Sequence, residues 1–363
     1  MRKAPRWSRL ILIFILVCAW LVASRAMASP EFSGKQLRIL VGVSPGGGHD
    51  LESRVFARHL PKHLPGNPSV IVQNMPGAGG VLMLSHLHRR VKPDGLTFGV
   101  IGRGQFLMAI LEEVAFDPSK MPALWGVSGT GVDLVRADLL NVKTAEALLK
   151  VDPRAIVVGG RGRTDNTCVA GPLALEILGI KGYQMVCAYP GTPPIRAAME
   201  RGEITFTVTS DSSITAGGTY AEMVTKGSAL PVWQTGYLTP EGRNERSPSV
   251  SGDVPTFYEV YRKVHKKSPS GILWDVYKKT TIDLSMITRV YITPPGIAAD
   301  RLTALQEAMV RVTRDPAFVS EWERVFGQQL APVTVSAPMA ERLKNDFLAR
   351  APWQDFLRQF VNK

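Results

Sequence analysis

Cysteine is scarce here: three residues in a chain of 363. Cys18 sits inside an apolar run, and Cys168 and Cys187 are not spaced as a metal site. The catalytic signatures are missing too. There is no Gly-x-Ser-x-Gly elbow and no His-Glu-x-x-His pair, and His86 and His88 stand alone, on different sides of any helix that carries them. Gly46-Gly47-Gly48 does not continue to a third glycine at the dinucleotide spacing, and no Gly-Lys-Ser/Thr follows, which argues against nucleotide phosphates. No dense Arg/Lys run with interleaved aromatics appears, so nucleic acid is not an expected partner. Low-complexity tracts and short-period repeats are lacking as well. These gaps predict a protein that is not an enzyme and carries no metal or cofactor.

What is present describes a globular protein, 45% hydrophobic and 20% charged, long enough for two ordinary domains. Its only long apolar run is at the start. Arg2, Lys3, Arg6 and Arg9 precede an uncharged stretch from Leu10 to Ala23, followed by Ala26-Met27-Ala28. A basic segment, an apolar segment shorter than the ~20 residues a membrane span needs, and a small-x-small site read as an export signal cut after Ala28. Its removal takes five basic residues and lowers the formal charge from +12 to +7. A mildly basic exported protein suits anionic solutes, and equally suits simple solubility. Export to an oxidising periplasm permits a Cys168–Cys187 bridge, because a helix start and a strand end meet at one sheet edge; two separate buried thiols are the alternative.

The chain is organised around Leu37 to Gly80. An apolar run to Val43 ends in Ser44-Pro45-Gly46-Gly47-Gly48-His49-Asp50, an amphipathic run follows, and a second apolar run breaks at Asn74-Met75-Pro76-Gly77-Ala78-Gly79-Gly80. Strand, glycine turn, helix, strand, glycine turn is half of an open α/β sheet. Glycines let main-chain N–H groups face outward at helix N-termini, where the dipole favours an anion. The middle of the chain repeats the device. A strand ends at Gly160-Arg161-Gly162-Arg163-Thr164-Asp165, another at Tyr189-Pro190-Gly191, and a third at Ser210-Asp211-Ser212-Ser213. Pro172 predicts that the helix ending at Leu178 becomes regular only near Gly171.

These residues resemble a known family. Gly47-Gly48-His49-Asp50 with Arg54, then Asn74-Met75-Pro76-Gly77-Ala78-Gly79-Gly80, then Pro93-Asp94-Gly95-Leu96-Thr97 are similar to the ordered signatures of the tripartite tricarboxylate transporter substrate-binding proteins, the Bug or TctC-like family. Tyr189-Pro190-Gly191, Val254-Pro255-Thr256 with Glu259, and Thr293-Pro294-Pro295-Gly296 continue the likeness, which covers nearly all of residues 36–360. It departs at His49, where the family usually has Thr or Ser, and in two stretches that look longer than usual, Gly236 to Gly252 and Lys263 to Ser285.

The resemblance implies a two-lobed α/β periplasmic binding protein of type II-like architecture, each lobe an open sheet flanked by helices, with a cleft between. Residues 1–28 would be the signal peptide, 29–123 and 253–363 lobe I, and 124–252 lobe II. The ligand would be a small organic anion (a di- or tricarboxylate, an aromatic acid or an amino acid) delivered by a monomer to membrane permease subunits. A sensor that signals to a membrane receptor is the alternative, motivated by the basic stretch Lys263 to Lys279. Candidate ligand residues are Ser44, Gly46, Gly47, Gly48, His49 and Asp50 on the first turn, and Gly77, Ala78 and Gly79 on the second. Lobe II would add Arg163, Thr164, Tyr189, Ser210 and Asp211. Arg163 can grip a carboxylate or be a solvated loop residue, Thr164 can donate or cap a helix, and Asp50 can brace its own loop. His49 can donate to a carboxylate and make binding pH-sensitive near pH ~6–7, or make no contact at all. Asp211 would repel an anion unless paired, which favours a structural role.

Overall fold

The computed structural model describes residues 32–362 apart from 113, 216, 239–242, 251, 327–333 and 336. The expected signal segment and its cleavage site lie outside the described residues, as does part of the loop between Gly236 and Gly252. In chain order the strands are β1 (Gln36–Val41), β2 (Ser69–Asn74), β3 (Thr97–Gly102), β4 (Ala123–Val127), β5 (Gly131–Arg136) and β6 (Val157–Gly160). After them come β7 (Gln184–Cys187), β8 (Phe206–Ser210), β9 (Ala229–Gln234), β10 (Tyr237–Leu238), β11 (Asn244–Glu245), β12 (Arg289–Ile292) and β13 (Thr334–Val335).

Two mixed sheets result, each flanked by helices. The first has the order β13-β4-β12-β3-β1-β2 and the second β7-β6-β8-β5-β9. β1 pairs in parallel with β2 and β3, while β12 returns antiparallel between β3 and β4. In the second sheet β6 is parallel to β7 and β8, and β5 runs antiparallel between β8 and β9. The chain crosses between sheets at 128–130 and returns just before Arg289. Both boundaries therefore fall later than the expected 123 and 252. β4 hydrogen-bonds into the first sheet, and the segment after Thr256 packs on the second before the chain goes back.

Local chemistry explains most element ends. The Val254-Pro255-Thr256 signature opens helix Phe257–His265 as a capping box: Thr256 Oγ1 accepts from Glu259 N at 3.2 Å, and Thr256 N donates to Glu259 Oε2 at 2.6 Å. Helix Asn166–Leu178 starts at the Asp165 cap and stops at Gly179, which has a φ of 87°. Pro172 lies inside that helix, contrary to the expected late start. The helix is buried along nearly its whole length against β6 and β8, and that packing outweighs the backbone bond which proline forfeits.

The first sheet's outer face is an aromatic core in which Phe56 meets Trp125, Tyr291 and Phe318 with ring centroids 4.8–5.3 Å apart. A second cluster of buried residues is continuous across both lobes. It runs from Leu84, Phe106 and Leu107 through Tyr277 and Ile287 to Leu173, Phe206 and Trp233. The stretch Lys263 to Ser285 contributes to it: Trp274, Val276 and Tyr277 are buried, and Trp274 stacks on Tyr277 at 5.6 Å. Three of its five lysines are paired at the surface, Lys263 with Glu146, Lys278 with Asp275 and Lys279 with Asp283. The segment read as an added basic surface is thus exposed over much of its length and anchored by Trp274, Val276 and Tyr277.

Candidate functional site

The strands of both sheets end at a common crevice, a cavity of about 70 Å³. One water needs ~10–15 Å³ by this kind of measure, so there is room for a small solute. Four helices begin at its wall: Gly48–His59 and Arg103–Leu111 from the first lobe, Asn166–Leu178 and Thr192–Glu200 from the second. Their first-turn N–H groups have no partner within the helix, and each dipole adds partial positive charge at that end. The approach is close. A Cβ on Gly104 would lie 1.9 Å from Asp165 Oδ2, so only glycine lets the helix starting at Arg103 abut the one starting at Asn166.

Three guanidinium groups line the same cavity: Arg103, Arg161 and Arg289. Arg289 begins β12 and is held by Glu52 across a 2.7 Å ion pair, both side chains buried. Arg161 follows β6 and is turned inward by Asp165, its Nε 3.2 Å from Oδ1. Arg103 differs from both. It is buried, burial pushes its pKa down to about 10 so that it keeps its charge at neutral pH, and its Nη1 has no hydrogen-bond partner. Asn166 Oδ1, on the opposite lobe and also lining the cavity, is likewise buried and unpartnered. Unmet buried donors and acceptors cost about 1–3 kcal/mol each, more when charged, so both are positions where a ligand atom would be stabilising.

Of the residues expected from sequence, the structure places Gly47, Gly48, His49 and Ser210 on the cavity wall. Ser44 reaches across the crevice mouth, its hydroxyl donating to Pro190 O at 3.4 Å. Asp50 faces its own loop: Oδ2 accepts from Gly46 N at 2.9 Å and from Arg54 Nε at 3.0 Å. Arg54 also donates to Asn74 Oδ1, and Asn74 Nδ2 to Val43 O, both at 3.0 Å. The signature residues Asp50, Arg54 and Asn74 therefore form one brace behind the turn. Gly77, Ala78 and Gly79 lie away from the cavity, in a loop whose backbone has positive φ throughout and is held by the Gln105 side chain on Gly79 O.

Lobe II places its residues differently from the expectation. Arg163 lines a separate surface groove with Cys168, Pro172, Tyr183 and Phe360, and the Thr164 hydroxyl bonds the Glu112 carboxylate. The Asp165 bonds turn residue 161 into the cavity, and 163 and 164 point elsewhere. Tyr189 packs with Val157 in the second lobe's core. Asp211 is buried and accepts from Thr130 N, Ser212 N and Ser249 Oγ, which fills the structural role. His49 keeps a pKa well below 6.5, because burial and then Arg289, Arg161 and Arg103 all oppose its charge, so a charge change near pH 6–7 is not available to it. Cys168 and Cys187 are joined in a disulfide that ties the first turn of helix Asn166–Leu178 to the end of β7.

Sequence reading missed Arg103, Arg161, Asn166 and Arg289. Arg103 carries a signal, an arginine directly after a strand and opening a helix. Arg289 carries none, because its position depends on a return strand threading between β3 and β4. Among the described residues no group of three His, Cys, Asp or Glu stands together as metal ligands, and no helix is long and apolar enough to cross a membrane.

No family model matches the chain. A UPF0065 protein of Cupriavidus necator is 29% identical over 262 residues, 70% of this chain and 73% of its own. A second UPF0065 protein, from Agrobacterium vitis, is 26% identical over 230 residues, 61% of this chain and 65% of its own. Among solved structures, the periplasmic binding protein BugD aligns with a TM-score of 0.68 at 17% identity, over 89% of this chain and 97% of its own. The chain thus shares its fold with Bug/TctC-type periplasmic binding proteins, and its sequence relatives are UPF0065 proteins. Two further structural neighbours were solved with ligands. MatC of Rhodopseudomonas palustris holds malate (TM-score 0.68, 18% identity, 89% of this chain and 98% of its own). Another R. palustris protein holds adipate (TM-score 0.69, 16% identity, 92% and 99%).

Proposed function

We propose that the protein is a periplasmic solute-binding protein, exported by the signal at residues 1–28, that captures a small organic carboxylate between its lobes. Acting as a monomer, it hands the solute to a tripartite tricarboxylate-type permease. The observation that carries the reading is the convergence of four helix N-termini, two from each lobe, around the unpartnered Arg103 Nη1, with Asn166 Oδ1 left to accept from a hydroxyl or amine on the solute. Hydrogen bonds to a charged group contribute about 1.5–3 kcal/mol each, so three or four would supply the roughly −8 kcal/mol of micromolar binding. The malate and adipate held by structural neighbours support a carboxylate. Capture needs no covalent step, only contacts that one lobe adds once the other has bound.

The test is thermal melting of the purified mature protein with di- and tricarboxylates, aromatic acids and amino acids. At least one anion is expected to raise the melting temperature in the native protein and not in Arg103→Gln. A panel without any shift would sink the reading.

A further inference from the structure

Two residues along β5 from the point where Arg103 meets the second sheet lies a buried carboxyl group. Asp133, in β5, is 1% exposed and forms no ion pair among the described residues, and its Oδ1 has no hydrogen-bond partner. Its strand partners are Val208 on β8 and Trp233 on β9. The Arg103 guanidinium lies against Gly131, two residues before Asp133 on the same face of β5; a Cβ on Gly131 would be 3.2 Å from Nη1. Helix Ile272–Tyr277 brings the Tyr277 hydroxyl to the same neighbourhood. That hydroxyl and Arg103 Nη1 are both buried and unpartnered. Of the groups facing Asp133 only Arg103 carries charge, since burial holds Tyr277 well above its usual 10.0 and Trp233 does not ionise.

We propose that Asp133 is the proton partner of the anion site: an anion settles against Arg103 most favourably while Asp133 is neutral, so that in alkaline solution capture weakens and is accompanied by proton uptake. The proposal rests on the anion reading above. The physical reason is charge balance between buried groups. Arg103 is the one cation that favours ionised Asp133, and a bound carboxylate competes for it while adding like charge. Burial already pushes the Asp133 carboxyl up to about 8, so the group is mostly neutral at pH 7 and the linkage shows where pH rises past that value. The proton taken up on binding is given back to solvent on release.

Calorimetric titration of the mature protein with malate, at pH 7 and pH 9 in two buffers of different ionisation heat, tests this. Native protein is expected to bind up to about fivefold more weakly at pH 9 than at pH 7, for a pKa rise of up to one unit, and to take up a fraction of a proton there. Asp133→Asn should bind equally at both pH values, with no buffer-dependent proton uptake. An identical pH slope in both proteins would overturn the proposal, as would native binding without proton uptake, a measurement that needs no variant. Melting of the unliganded proteins separates the two ideas. Asp133 ionises near 3.8 in the unfolded chain and near 8 in the folded one, so native protein should lose stability relative to Asp133→Asn as pH rises from about 4 to 8. If the two melting profiles run parallel, Asp133 holds no proton and the proposal fails whatever binds. If the profiles diverge but malate binds neither protein, the anion reading is what has failed for malate, and the coupling falls with it.

Discussion

The two lobes bring different chemistry to the same crevice. The first lobe's turn, Ser44 to Asp50, is braced from behind by Asp50, Arg54 and Asn74, and it offers the cavity glycine backbone and the His49 ring. The second lobe's edge, Arg161 to Thr167, is pinned by Asp165 and a disulfide, and it offers side chains: Arg161, Asn166 and Thr167. A turn made of glycine cannot hold its own shape, because glycine loses more backbone freedom on ordering than any other residue. Its polar neighbours are spent on rigidity. The second edge is held by one carboxylate and one covalent link; Asp165 engages both Arg161 and the Thr167 hydroxyl, and Asn166 Oδ1 is left unpartnered to meet a solute.

That contrast can be broken at measurable points. The largest effect is expected from Glu52→Ala, which leaves Arg289 buried and unpaired; unfolding in urea should show a loss of about 3–5 kcal/mol. Next comes the second lobe's staple. Its cysteines are 19 residues apart in sequence, and Cys168→Ser with Cys187→Ser, or reduction, should cost about 3 kcal/mol in denaturant unfolding. A loss below about 1 kcal/mol would mean that packing alone fixes that edge.

Arg103→Gln is expected to weaken anion binding by about 2–4 kcal/mol, roughly 30- to 1,000-fold by calorimetry, while Arg163→Gln changes it less than about twofold. A reversed order would return the site to the residue that the sequence suggested. Asn74→Ala removes two bonds of the first lobe's brace and should lower stability by about 1–2 kcal/mol. Binding should fall with it if the turn needs the brace to keep its shape.

The smallest effect concerns His49. Its folded pKa is depressed, so the unfolded chain takes a proton near 6.5 that the folded one refuses. Stability is therefore full above that pH and falls as pH drops through it, by at most about 1.4 kcal/mol per pH unit. Melting of native protein and His49→Gln between pH 5.5 and 7.5 should show that slope in the first and not in the second. Parallel curves would place a charge on the imidazole within the folded protein.

Sequence alone determined the alternation of strands and helices, the glycine corners at strand ends and the likeness to the Bug/TctC family, because each depends on residues near one another in the chain. Gly47, Gly48, His49 and Ser210 were legible as cavity residues for that reason. The rest needed the fold. Arg289 and Arg103 meet because β12 pairs antiparallel with β3, Arg289 opposite Gly102. Asn166 faces Arg103 because two helices from different lobes abut at Gly104. The disulfide, which the sequence left open, forms because helix Asn166–Leu178 begins beside the end of β7. Pattern and spacing fix which residues can build such a corner, while charge placement across a crevice is a distance between segments far apart in the chain, and only packing sets it.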